Sequence, residues 1–127
     1  MAQTSNAGLS LAPPDPWVLK KKLTDTDLIS GGQLILRKGD FESFILPEMD
    51  DVTLQNMGST NGAEVKIHIV EEGPEADDYT VTLIKKAKYL FKAGWSNMAK
   101  AKDYKTGDEI GLMWDKSSGR FLLHHIK

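Results

Sequence analysis

The chain contains no cysteine. A disulfide framework, a thiolate zinc centre and a thiol nucleophile are therefore excluded, and a reducing compartment suits it. Long apolar runs are missing too. The longest, such as Phe44-Ile45-Leu46, fall far short of the ~20 residues that span a bilayer. The first residues offer neither the basic nor the apolar stretch of a signal peptide. The protein is read as soluble and intracellular, with no membrane partner. Signatures of catalysis are equally scarce. No glycine loop matches a phosphate-binding fingerprint, and Ser59, within NMGSTNG, lacks the nucleophile elbow. Asp50-Asp51 and Asp77-Asp78 read as solvated loop acids rather than an opposed catalytic pair. His124 and His125 point to opposite faces of any strand and have no evident third ligand, so no metal is expected. No cofactor and no enzymatic activity are expected either.

What is present is enough for one core. The 127 residues are 40% apolar, which fits a single domain. Residues 1–16 are rich in Ser, Ala, Asn and Pro and read as a disordered leader, so the folded domain is expected over 17–127. Net charge is only -2, yet the charge is unevenly laid out. From Gly39 to Val81 there are eleven acids against Lys66 alone; from Leu83 to Lys105 there are seven lysines against Asp103 alone. Lys20, Lys21, Lys22, Arg37 and Lys38 precede the acidic block. Two basic sets thus bracket an acidic one.

Periodicity predicts short elements. Trp17 to Leu23 reads as a strand, and Thr24 with Asp27 offers a variant capping box for a helical turn. Ser30-Gly31-Gly32 breaks that turn, and Gln33 to Leu36 forms a short strand. Phe41, Phe44 and Ile45 recur at helical spacing until Pro47 ends the run. Val52-Thr53-Leu54 alternates and reads as a strand. Asn61-Gly62 is a turn, and Val65 to Ile69 alternates with His68 on the outer face beside Lys66. Tyr79 to Ile84 and Tyr89 to Phe91 have strand composition, and a helix is expected from Trp95 to Lys102. Gly107-Asp108 and Ser117-Ser118-Gly119 turn the chain into Ile110 to Trp114 and Arg120 to Ile126. Seven or eight strands with two or three short helices, without βαβ rhythm, predict a mostly antiparallel barrel or sandwich.

WVLKKKLTDTDL, Leu34-Ile35-Leu36 with Lys38, then Tyr89-Leu90-Phe91, Gly94-Trp95, a lysine-bearing helix and GDEIGLMWD together resemble the plant B3 DNA-binding domain. The likeness covers about Trp17 to Ile126, and it is closest to the short, single-domain members. It implies a mostly β fold, a seven-stranded open barrel (the B3 pseudobarrel) with short helices, gripping the DNA major groove with two arms. One arm corresponds to Ser30, Gly31, Gly32 and Gln33; the other holds Lys85, Lys86 and Lys88. Arg37, where the family has proline, and Lys38 add cations. Trp95 is expected as a core anchor, with Gly94 permitting close approach.

The arms depart from the family pattern. Ser30-Gly31-Gly32-Gln33 stands where other members have Lys-x-Asn-Arg, leaving Gln33 to pair an adenine edge. Lys85 and Lys86 replace short hydrogen-bonding groups with point charges that hold phosphate without reading bases. The resemblance thus implies a nuclear transcriptional regulator that binds double-stranded DNA chiefly through its backbone. Two alternatives stay open: a degenerate barrel acting as a protein-interaction module through the acidic surface from Glu71 to Asp78, and a small-ligand barrel.

Overall fold

The computed structural model describes residues 16–126. The leader expected over 1–16 lies almost wholly outside them. Strand β1 (Leu19–Lys22) leads into α1 (Asp25–Leu28), β2 (Leu34–Leu36), the helical segment that begins with α2 (Lys38–Asp40), and α3 (Asp51–Met57). Then come β3 (Ala63–Ile69), β4 (Tyr79–Lys85), β5 (Tyr89–Phe91), α4 (Trp95–Ala101), β6 (Glu109–Asp115) and β7 (Arg120–Ile126). The seven strands form one sheet in the order β1-β6-β7-β3-β4-β5-β2, which curls into a nearly closed barrel. Neighbours are antiparallel except β3 and β7. The last strand therefore sits in the interior of the sheet.

The inward residues of the strands fill the barrel. Phe91 and Phe121 meet edge to face at 5.2 Å, and Trp114 approaches Phe121 likewise at 5.0 Å, a geometry that suits the ring quadrupoles. Trp95 is wholly buried, and its Nε1 donates to the Asp27 carbonyl at 2.8 Å. That bond ties α4 to α1, where Thr24 and Asp27 form the anticipated capping box. Gly94 makes the approach possible. Its φ is +91°, and a Cβ there would stand 2.3 Å from the Thr80 carbonyl oxygen, so only glycine fits.

Local expectations are corrected at three places in the chain. Val52-Thr53-Leu54 belongs to α3, not to a strand, which raises the α-helices among the described residues to four. Asp50 is not a merely solvated acid but the N-cap. Its carboxylate accepts from the Thr53 amide at 3.0 Å and the Thr53 hydroxyl at 2.8 Å, and these bonds hold its pKa below the usual range. The helix buries Met57 and leaves Val52 exposed.

The second correction concerns Phe41 to Pro47. After α2 the chain makes a π-helical turn over Phe41–Ile45 and a 3-10 turn over Leu46–Glu48, with Pro47 inside it. The wider π turn leaves Phe41 and Ile45 inward and Phe44 outward at 50% exposure. The third is His68, which is only 5% exposed. Although it shares the outer face with Lys66, it is covered by Asp78 and Arg120. Its Nδ1 lies 3.0 Å from Asp78 Oδ1, and Arg120 Nη1 donates to both Asp78 oxygens at 2.9 Å. Asp78 is accordingly an ion-pair partner rather than a solvated acid.

Candidate nucleic-acid interface

The second basic set is positioned by the register of three strands. Leu34 pairs with Phe91, Ile35 with Leu90 and Leu36 with Tyr89, and β4 continues the rows with Leu83, Ile84 and Lys85. Leu34, Leu36, Tyr89 and Phe91 are buried, so alternate residues face outward. Continuing the β2–β5 register by one residue each way sets Gln33 against Lys92 and Arg37 against Lys88. The outward face thus carries Gln33 with Lys92, then Ile35 with Leu90, then Arg37 with Lys88, and Lys86 joins the last row through its amide bond to the Lys88 carbonyl at 3.0 Å. From Gln33 to Arg37 this row extends about 13 Å, close to the ~12 Å width of a major groove.

These cations are open to solvent. Lys38, Lys86, Lys88 and Lys92 are exposed, and among the described residues none of them forms an ion pair. Lys85 differs from its neighbours, because its ammonium lies 5.5 Å from the centre of the Tyr89 ring. Tyr89 in turn stacks on Phe41 at 4.3 Å and donates to Glu42 Oε2 at 2.8 Å. Burial first, then the hydrogen bond to Glu42, pushes the Tyr89 hydroxyl up to about 12, so it remains a donor at any ordinary pH. Arg37 has Asp40 at 3.9 Å, a loose and largely exposed pair, of the kind worth little.

Ser30, Gly31 and Gly32 lie at the opposite end of β2 from the lysine turn. They border a cleft of about 330 Å³ with Lys92, Gly94, Ser96 and Asn97, and the Gly31 amide donates to Ser96 Oγ at 3.0 Å. Gly32 is buried where a Cβ would stand 2.8 Å from the Ile29 carbonyl oxygen. The expected site residues therefore fall into two groups: Arg37, Lys38, Lys85, Lys86 and Lys88 at one end of β2, and Ser30 to Gln33 at the other. Sequence reasoning did not single out Lys92, Ile35, Ser96 or Asn97 for this surface. The signal for Lys92 was available, since it lies three residues after Tyr89 in the same lysine run.

The first basic set divides. Lys20, Lys21 and Lys22 stand on β1, at the other end of the strand order, where Lys21 lies 3.7 Å from the buried Asp27. Three acids of the Glu71 to Asp78 segment are engaged within the fold, while Glu75 and Asp77 stand exposed. Glu71 meets His124 and accepts from the His125 amide, Glu72 pairs with Lys102 and accepts from the Tyr79 hydroxyl, and Asp78 holds Arg120 and His68. Among the described residues no group of three or more His, Asp and Glu side chains is placed to hold a metal.

The barrel and its helices define a class of known architecture. The structure matches that of the Arabidopsis FUS3-DNA complex with a TM-score of 0.62 at 15% identity, covering 87% of this chain and 96% of that one. It matches the Arabidopsis thaliana transcription factor LEC2-DNA complex with a TM-score of 0.63 at 17% identity, covering 85% and 90%. At such identities the shared property is the fold. Residues 17–125 match the family described as B3 domain-containing protein At5g26805, C-terminal domain. A B3 domain-containing protein of Arabidopsis thaliana, At1g51970, is 58% identical over 127 residues, covering 99% of both chains. This chain belongs to the B3 domain family.

Proposed function

We propose that the domain is a non-enzymatic DNA-binding module of a nuclear transcriptional regulator, gripping the duplex major groove with two arms and weighted toward phosphate contacts. The observation that carries the reading is the outward face of β2, β5 and β4, where Lys86, Lys88 and Lys92 stand exposed without an acidic partner around a strand of groove-like length. Free ammonium groups at such spacing suit phosphates, which position a duplex without reading it. Ser30 to Gln33 form one arm and Lys85 to Lys88 the other, with Arg37 and Lys38 beside the second. The solved structures that share this fold, FUS3 and LEC2, are complexes with DNA, which supports the same partner here.

The alternative of an acidic protein-interaction surface has less to rest on, because Glu71, Glu72 and Asp78 already bind groups of the same chain. The test is fluorescence anisotropy of the domain against a random duplex pool across salt, with sequencing of the bound fraction. Salt-sensitive binding is expected. Absence of binding at low salt would overturn the reading.

A further inference from the structure

The outward face described above is not uniformly basic. Its middle row is apolar: Ile35 is 39% exposed on edge strand β2, Leu90 lies beside it, and Ile84 beyond is buried. Ile29, 56% exposed, reaches the same surface from the end of α1. Together with Thr26, Gly31, Gly32 and Gln33 the two isoleucines line an open depression of about 270 Å³. Ile29 and Ile35 are thus large apolar side chains left in water, with an exposed carboxamide between them and cations on both flanks. Gln33 makes no side-chain hydrogen bond among the described residues, so its donor and acceptor are both available.

We propose that this depression reads A·T pairs, with Ile29 and Ile35 packing on thymine 5-methyl groups while Gln33 pairs the N6/N7 edge of an adenine. The inference rests on the DNA-binding reading and adds to it a specificity that lysine contacts cannot supply. In the major groove the thymine methyl is the only apolar feature a base pair presents, and adenine is the base whose edge matches a carboxamide in bidentate fashion. Gln33 and Ile35 stand two residues apart, about 6.7 Å along the strand, which lies within the ~12 Å width of the groove that the strand would cross. The flanking rows of Lys92 and of Arg37 with Lys88 match the charge of the phosphates on either side of a groove, which favours a duplex over a second copy of this chain as the occupant.

The test removes single methyl groups from the DNA. A motif is first selected from random duplexes, then resynthesised with deoxyuridine in place of each thymine in turn, which leaves every hydrogen bond of the base pair intact. The selected motif should contain A·T pairs, and uracil at one or two of its thymines should weaken binding about fourfold each, the transfer value of one methyl. Ile35→Ala should lose the uracil penalty at one of these thymines, leaving the one that Ile29 contacts, while keeping its thermal unfolding and its salt dependence. Gln33→Ala should relax the preference at an adenine. A motif without A·T pairs, or wild-type protein indifferent to uracil at every position, overturns this inference and leaves the DNA-binding reading standing. Failure to bind any duplex overturns both. An Ile35-dependent dimer of the free protein in sedimentation would assign the apolar row to self-association instead.

Discussion

Replacing Lys86 and Lys88 with alanine should flatten the salt dependence of DNA binding by a calculable amount. Five side chains at the interface are candidates for phosphate contact: Arg37, Lys38, Lys86, Lys88 and Lys92. Each contact releases counterions worth about -0.9 in the log-log slope, so the wild-type slope should be near -4.5 and binding should weaken ~500-fold between 50 and 200 mM salt. The double variant keeps three contacts, a slope of about -2.7, and a ~40-fold loss over the same interval. Neither lysine has an ion-pair partner among the described residues, so the thermal unfolding temperature should not move. Fluorescence anisotropy at five or more salt concentrations gives the slope directly. Lys105→Ala with Lys116→Ala is the control, since it removes two charges elsewhere, between α4 and β6 and between β6 and β7. Equal slopes for the two double variants would refute a local contact, and an unchanged slope for Lys86 and Lys88 would remove them from the arm.

Gly94→Ala should destabilise the fold by about 3 kcal/mol or more, because it combines left-handed strain with a backbone clash against Thr80; loss of the cooperative thermal transition is the readout, and an unchanged melting curve would contradict the tight approach. Trp95→Phe should cost about 2–3 kcal/mol in denaturant unfolding, since it leaves the Asp27 carbonyl without its indole donor and opens space in the core. For Asp78, burial raises the carboxyl pKa, but hydrogen bonds from Arg120 and His68 outweigh it and hold the folded value below 3.8. A depressed acid contributes stability above its unfolded pKa and loses it as pH falls through the folded one. Asp78→Asn should therefore be destabilising at pH 5 to 7, and the gap to wild type should close as pH falls below the ordinary carboxylate range; a gap independent of pH would exclude the ionised carboxylate as its source.

The parts of the fold legible in the sequence were those encoded within a few residues. Thr24 and Asp27 cap α1 because the two partners are three positions apart, and Gly94-Trp95 announces a close approach because only glycine precedes a buried indole so tightly. Val52-Thr53-Leu54 misled because three residues fit either period, and the deciding contact was the Asp50 carboxylate on Thr53. His68 could not be placed from alternation alone. The residues that cover it lie 10 and 52 positions away, at Asp78 and Arg120. The interface shows the same division: the lysine run was visible in the sequence, whereas the rows that join Gln33 to Lys92 and Ile35 to Leu90 exist only through the β2–β5 register.

The interior position of β7 bears on how the domain comes to exist. Because this strand bridges β6 and β3, and its link to β3 is parallel, the four strands β3, β4, β5 and β2 and the pair β1 with β6 remain separate half-sheets until it arrives. Closing the parallel pair requires ordering more than fifty residues between Ile67 and Phe121, a loop whose entropy is charged before its contacts form. Synthesis should therefore yield no stable barrel until β7 has left the ribosome, and nascent chains stopped at Asp115 should remain open to protease while those extended past Ile126 become resistant.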